Sequence, residues 1–132
     1  MAEPEGTLTA GQHEILEVVW ASGKSGATVA EIWGAIGPQR AVTRTTVLNQ
    51  VDRLEKRGWL KRHEHPDGFR YVASQPRQKV ASGLAIDFVN AFFGGSASEL
   101  VMSLLGSKKV SNAEISRLKA LLDERLSDRN SR

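Results

Sequence analysis

The apolar residues of this chain keep a helical period as far as Gly58 and then take up the alternation of a strand. That single change limits what the chain can fold into. Before it lie three short amphipathic stretches. The first follows Thr9, with Ile15, Val18, Val19 and Trp20 at helical spacing, and ends in Ala21-Ser22-Gly23-Lys24-Ser25-Gly26. The second follows Thr28, carries Val29, Ile32, Trp33 and Ile36, and is expected to stop at Gly37-Pro38. A third begins near Thr43 and runs through Val47, Val51 and Leu54 to Gly58, a residue type favoured just past a helix end. Thr9/Gln12 and Thr28/Glu31 have capping-box spacing, in which each side chain satisfies a free backbone N–H of the first turn. After the switch, Trp59-Leu60-Lys61-Arg62-His63-Glu64 and Phe69-Arg70-Tyr71-Val72 flank a turn at His65-Pro66-Asp67-Gly68. Proline fixes one torsion there and glycine is free to take positive φ, so the segment predicts a hairpin.

The rest of the chain returns to helical spacing. Pro76 is a suitable helix start, and Val80, Leu84, Ile86, Phe88, Val89, Phe92 and Phe93 cover more than half of the surface that follows. Ser96/Glu99 and Ser111/Glu114 have capping-box spacing too, ahead of stripes at Leu100, Val101, Leu104 and Leu105 and at Ile115, Leu118, Leu121, Leu122 and Leu126. The tail Ser127–Arg132 is expected to fray. This half has more apolar surface than a small arm can bury alone. Leu84, Phe88, Val89, Phe92, Phe93, Leu100, Leu104, Leu118, Leu121 and Leu122 are therefore expected to pack against a second copy of the chain. The expected organisation is two domains, 1–75 and 76–132, in a mainly α fold.

Several function classes drop out. With no cysteine among its 132 residues, the chain has no disulfide, thiolate metal site or cysteine nucleophile. No nucleophile–base pair and no phosphate-cradling glycine loop is present, so neither catalysis nor a cofactor is expected. His63, Glu64, His65 and Asp67 superficially suggest a metal site, but alternate strand positions face opposite sides and residues at an exposed turn are usually solvated. Trp20, Trp33 and Trp59 are expected to anchor packing rather than stack on bases. The first residues, Met1-Ala2-Glu3-Pro4-Glu5-Gly6, lack an apolar signal core, and no run reaches the roughly 18–20 apolar residues of a membrane span. The cytoplasm is the expected compartment.

Charge is distributed unevenly. Up to Gln39 the single base Lys24 stands against Glu3, Glu5, Glu14, Glu17 and Glu31. From Arg40 to Val72, Arg40, Arg44, Arg53, Lys56, Arg57, Lys61, Arg62 and Arg70 outnumber Asp52, Glu55, Glu64 and Asp67 by eight to four. A basic segment beside an acidic one indicates one face turned to a polyanion. Three short helices followed by a hairpin is the order of a winged helix-turn-helix, whose third helix enters the major groove while the hairpin reaches the flanking backbone. At about 100° per residue, Val47, Val51, Leu54 and Gly58 fall within about 60° and turn inward, which places Thr45, Asn49, Asp52 and Lys56 outward. Arg forks onto guanine, Asn onto adenine, and a Thr methyl meets that of thymine. Arg44, Thr45, Thr46 and Asn49 are thus the base-reading candidates. Arg53, Lys56, Arg57, Lys61, Arg62 and Arg70 are the candidates for the phosphate backbone.

The same residues carry a resemblance. Leu8-Thr9-Ala10, Ile15-Leu16, Trp20, Thr28-Val29-Ala30-Glu31-Ile32, Thr45-Thr46-Val47 and Arg53-Leu54-Glu55-Lys56-Arg57-Gly58-Trp59-Leu60 resemble the penicillinase repressor family. So do Phe69-Arg70-Tyr71 and Phe92-Phe93-Gly94-Gly95-Ser96…Leu100-Val101; the likeness spans about Leu8 to Leu122. It implies a winged-helix reader and a three-helix dimerisation arm, acting as a homodimeric repressor on pseudo-palindromic operators often built on TACA/TGTA. In antibiotic-responsive members a membrane sensor protease cuts an Asn-Phe bond in the arm; the matching place here is Ser103-Leu104. Copper-responsive relatives bind metal through cysteines that this chain lacks. The competing functions are a winged-helix module that contacts only proteins and a ligand-responsive winged-helix regulator of another family.

Overall fold

The computed structural model describes residues 3–130. In chain order it has α1 (Ala10–Ala21), a 3₁₀ turn (Gly23–Ser25), α2 (Val29–Arg40) and α3 (Arg44–Lys56). These are followed by β1 (Leu60–His65), β2 (Gly68–Ala73), α4 (Arg77–Phe92), α5 (Ala97–Gly106) and α6 (Asn112–Asn130). The chain forms two compact units, Met1–Ser82 and Gly83–Arg132, divided within α4.

In the first unit the inward stripes of α1, α2 and α3 meet the hairpin. Ile15, Leu16, Val19, Ile32, Val47, Val51, Leu54, Leu60 and Tyr71 form one buried core. Both capping boxes close at the predicted positions, on α1 and on α2. β1 and β2 pair antiparallel from Leu60↔Ala73 to His65↔Gly68, leaving Pro66 and Asp67 as the turn. A feature that periodicity does not reveal joins this hairpin to α2. Ala27 exchanges two backbone hydrogen bonds with Tyr71 (3.0 and 2.8 Å), so the residue ahead of α2 adds a rung to the outer edge of β2.

All three indoles act as ties between segments. Trp20 Nε1 donates to the Gln75 carbonyl (3.0 Å), Trp33 Nε1 to Val42 (2.9 Å) and Trp59 Nε1 to Glu5 (3.1 Å). An indole buries a large apolar body and satisfies its N–H with one acceptor, so each such residue fixes a crossing chain. The first turns of α4 belong to this unit as well. Val80 is buried, and Arg77 and Lys79 pair with Glu17 (3.0 Å) and Glu3 (3.2 Å).

Four details depart from the sequence expectation. α2 does not stop at Gly37-Pro38 but continues to Arg40. A proline in the last turn removes only one hydrogen bond, and Ala41 closes the helix by donating to Gly37 (2.8 Å) from a left-handed conformation, φ 52°. Ser96 and Ser111 cap their helices through the N–H groups of Glu99 (3.2 Å) and Glu114 (3.1 Å), but only Ser-to-backbone halves of the boxes form. α6 runs past Ser127 to Asn130, and the final two residues of that tail lie outside the described residues.

The second unit is made of helices, and among the described residues no side chain in it is buried to the degree of the first unit's core. Phe92 is 73% exposed and Leu122 63%; Ile86, Phe88, Met102, Leu104, Leu121 and Leu126 are exposed too. Phe88 lies against Phe92 and Phe93, with ring centroids 5.1 and 5.8 Å apart. Among the described residues no single helix is long and apolar enough to cross a membrane.

Candidate nucleic-acid interface

α3 starts from Thr43, whose side chain accepts the Thr46 N–H at 3.1 Å. Because Val47, Val51 and Leu54 are held in the core, the opposite face is fixed outward. Arg44, Thr45, Thr46 and Asn49 are all exposed there in the first two turns. The side chains of Arg44, Thr45 and Asn49 make no hydrogen bond or ion pair among the described residues, and Thr46 Oγ1 lies 3.0 Å from Thr43 Oγ1. These donors and acceptors are therefore open to an outside partner. A half-buried amide link steadies the helix from behind: Gln12 Nε2 donates to Gln50 Oε1 (3.1 Å), while Gln12 Oε1 accepts the Thr9 N–H.

The six phosphate candidates divide by what already engages them. Arg53 is exposed and makes no side-chain pair among the described residues, and Lys61 is exposed on β1. Lys56 makes a surface pair with Asp52 one turn away (3.0 Å), of a kind that contributes little and yields easily. Arg62 stacks over the Phe69 ring (4.5 Å) and approaches Glu55 (3.6 Å). Two of the six are already engaged within the fold. Arg57 is turned to the N-terminal segment, donating to the carbonyls of Glu5 (2.9 Å) and Thr7 (2.5 Å) and to Gln12 Oε1 (3.3 Å). Arg70 is also engaged within the fold. A guanidinium with its donors on fixed backbone and carboxylate oxygens has little left for a phosphate.

Arg70 is the centre of a clasp behind the hairpin turn. Its side chain is 17% exposed; Nη2 and Nε donate to Asp67 (2.7 and 3.3 Å), and Nη1 donates to the Gly26 carbonyl (3.1 Å) and to Glu31 (3.2 Å). His65 Nδ1 lies 2.7 Å from Asp67 Oδ1. One side chain thus joins the hairpin turn to the start of α2, which sets the direction of the wing. Its hydrogen bonds to Arg70 hold Asp67 well below the usual carboxylate range, at about 2, with a smaller push from His65. Glu31 is lowered as well, first by the Thr28 backbone N–H that it accepts and further by Arg70.

Sequence periodicity misses two exposed apolar residues beside the outward face of α3. Leu48 on α3 is 48% exposed and Phe69 on β2 47%, and both line an open recess with Val29, Arg44 and Tyr71. The available signal was the position of Leu48, about 100° round the helix from the buried stripe, where a core residue has no reason to stand.

Three helices, a hairpin directly after the third and a helical second unit define a winged helix-turn-helix fold, with one face of the third helix turned outward. The family comparison agrees. The penicillinase repressor family model matches residues 8–124, and the chain belongs to that family, one of repressors rather than enzymes. It is 23% identical over 124 residues to the penicillinase repressor of Staphylococcus aureus, covering 94% of this chain and 97% of that one. It is 22% identical over 118 residues to the methicillin resistance regulatory protein MecI of Mammaliicoccus sciuri, covering 89% and 94%. In fold it resembles MepR, a transcription regulator of a Staphylococcus aureus multidrug efflux pump, with a TM-score of 0.54 and 23% identity, covering 92% of this chain and 79% of that one.

Proposed function

We propose that this repressor binds a two-fold symmetric operator in the cytoplasm as a homodimer, with α3 of each copy in a major groove and the β1–β2 wing against the flanking backbone. The observation that carries this reading is the unengaged set of Arg44, Thr45 and Asn49 at the start of an α3 whose other face is locked in the core. Arg53 and Lys61 are placed to neutralise phosphates, which positions the protein without reading sequence. The exposed apolar faces of α4, α5 and α6 supply the dimer contact, residues 76–132 forming the arm, and a two-fold axis sets two reading helices about 34 Å apart. Gel-shift titration against random and palindromic duplexes at several salt concentrations tests the proposal. Log affinity should fall with log salt at a slope of about −0.9 per neutralised phosphate. A flat salt dependence, or equal affinity for every duplex, sinks it.

Two observations speak against release by a sensor protease at Ser103-Leu104, the missing Asn-Phe pair and the helical setting of the bond. Both residues lie inside α5, where the Ser103 carbonyl accepts the Ser107 N–H at 3.2 Å, and a protease needs extended chain. We assign release to a signal other than cleavage of that bond. Immunoblots should show the full-length chain persisting while its target genes are induced; a fragment ending near Ser103 would reverse the assignment.

A further inference from the structure

Leu48 is out of place for a residue with no partner. It stands on the solvent side of α3, one turn after Arg44 and three residues after Thr45, and it is 48% exposed. Positions three and four apart share a helix face, so this isobutyl group lies among the polar side chains proposed to face the base edges. About half of its surface stays open to solvent. The recess beside it is bounded by Phe69 on the wing, itself 47% exposed, and by Val29 at the start of α2. An exposed leucine loses stability nowhere in the free protein but gains wherever it can shed water against apolar surface. In a major groove of DNA the only apolar projection from a base edge is the C5-methyl of thymine.

We infer that Leu48 reads a thymine by its C5-methyl group, making one T·A pair in each operator half-site an apolar contact beside the polar ones of Arg44 and Asn49. The inference rests on the proposed placement of α3 in the major groove. Burying one methyl group is worth about fourfold in affinity, so a symmetric site with two such contacts gains roughly tenfold or more.

The test uses the full-length protein and a duplex that it has itself selected from a random pool. Each symmetry-related pair of thymines is replaced in turn by deoxyuridine, which removes the methyl and leaves the hydrogen-bonding edge unchanged. Fluorescence anisotropy should show one pair whose replacement weakens wild-type binding by roughly tenfold, and Leu48→Ala should bind thymine and deoxyuridine versions alike. Leu48→Met, which keeps an apolar side chain, should restore most of the discrimination. If every replacement leaves wild-type affinity within twofold, or if Leu48→Ala keeps the same sensitivity because Thr45 carries it, the inference falls while DNA binding stands. If no duplex is selected at all, both readings fall. Leu48 is exposed, so circular dichroism of the Ala variant should match wild type.

Discussion

Replacing Gly26 by alanine should unlatch the wing from the reader, and the size of the effect follows from the backbone. Gly26 has φ 75° and ψ −169°, a conformation essentially restricted to glycine and costing other residues about 1–3 kcal/mol. A Cβ built there would lie 2.4 Å from the Tyr71 carbonyl oxygen and 2.9 Å from Val72 Cγ1. Those atoms are backbone and packed side chain, so relief requires separating Ala27 from Tyr71 and losing their two hydrogen bonds, about 1 kcal/mol each. The sum is about 3–5 kcal/mol. Gly23 provides the control: it has a similar φ of 73° but open space where a Cβ would stand, so Gly23→Ala should cost only about 1 kcal/mol. Denaturant unfolding of both variants at one fixed protein concentration measures the difference, because a dimer's stability depends on concentration. If Gly26→Ala is no less stable than Gly23→Ala, the Ala27–Tyr71 rung does not hold the wing.

Three further outcomes are expected. Asp67 is held near 2 in the folded chain against an ordinary 3.8, so the stabilisation from its pairing is complete above about pH 4 and lost as pH falls toward 2. Carbon-detected NMR titration should place its midpoint near 2, and Arg70→Gln should move it back toward the ordinary value; no movement would mean that Arg70 is not the cause. Ala41→Gly should stabilise the protein by roughly 0.5–1 kcal/mol in thermal unfolding, since Ala41 closes α2 at φ 52°. Phe92→Asp combined with Leu122→Asp should leave the full chain monomeric at micromolar concentration in sedimentation, because both are large apolar residues exposed in the second unit and are proposed to be covered by the partner copy.

Much of the reader was legible in sequence because its signals are local. Thr9, Thr28 and Thr43 each cap a helix within three residues of themselves, and the Val47-Val51-Leu54 stripe fixes which face of α3 turns inward. Pro66, Asp67 and Gly68 likewise place the turn without help from the rest of the chain. What was not legible depends on residues far apart in sequence. Arg57 and Arg70 count as two more positive charges in a basic segment until the fold brings Glu5, Thr7 and Gln12 to one and Gly26 and Glu31 to the other. Pro38 looked like a stop because its cost was assigned to a helix interior, whereas the structure places it in the final turn. Leu48 lies outside the Val47-Val51-Leu54 stripe, and a stripe identifies the inward face without saying what an apolar residue beyond it does.

The most direct test of the reading face is the preference that α3 imposes on DNA. Wild-type protein and Asn49→Ala should each be used to select sites from a random duplex pool, and the enriched sequences compared position by position. Wild type should enrich sites with two symmetric halves about 10 base pairs apart, and Asn49→Ala should lose preference at one position in each half, a cost of roughly 1–3 kcal/mol there. Identical enriched sites from both proteins, or no enrichment by wild type, would contradict the account.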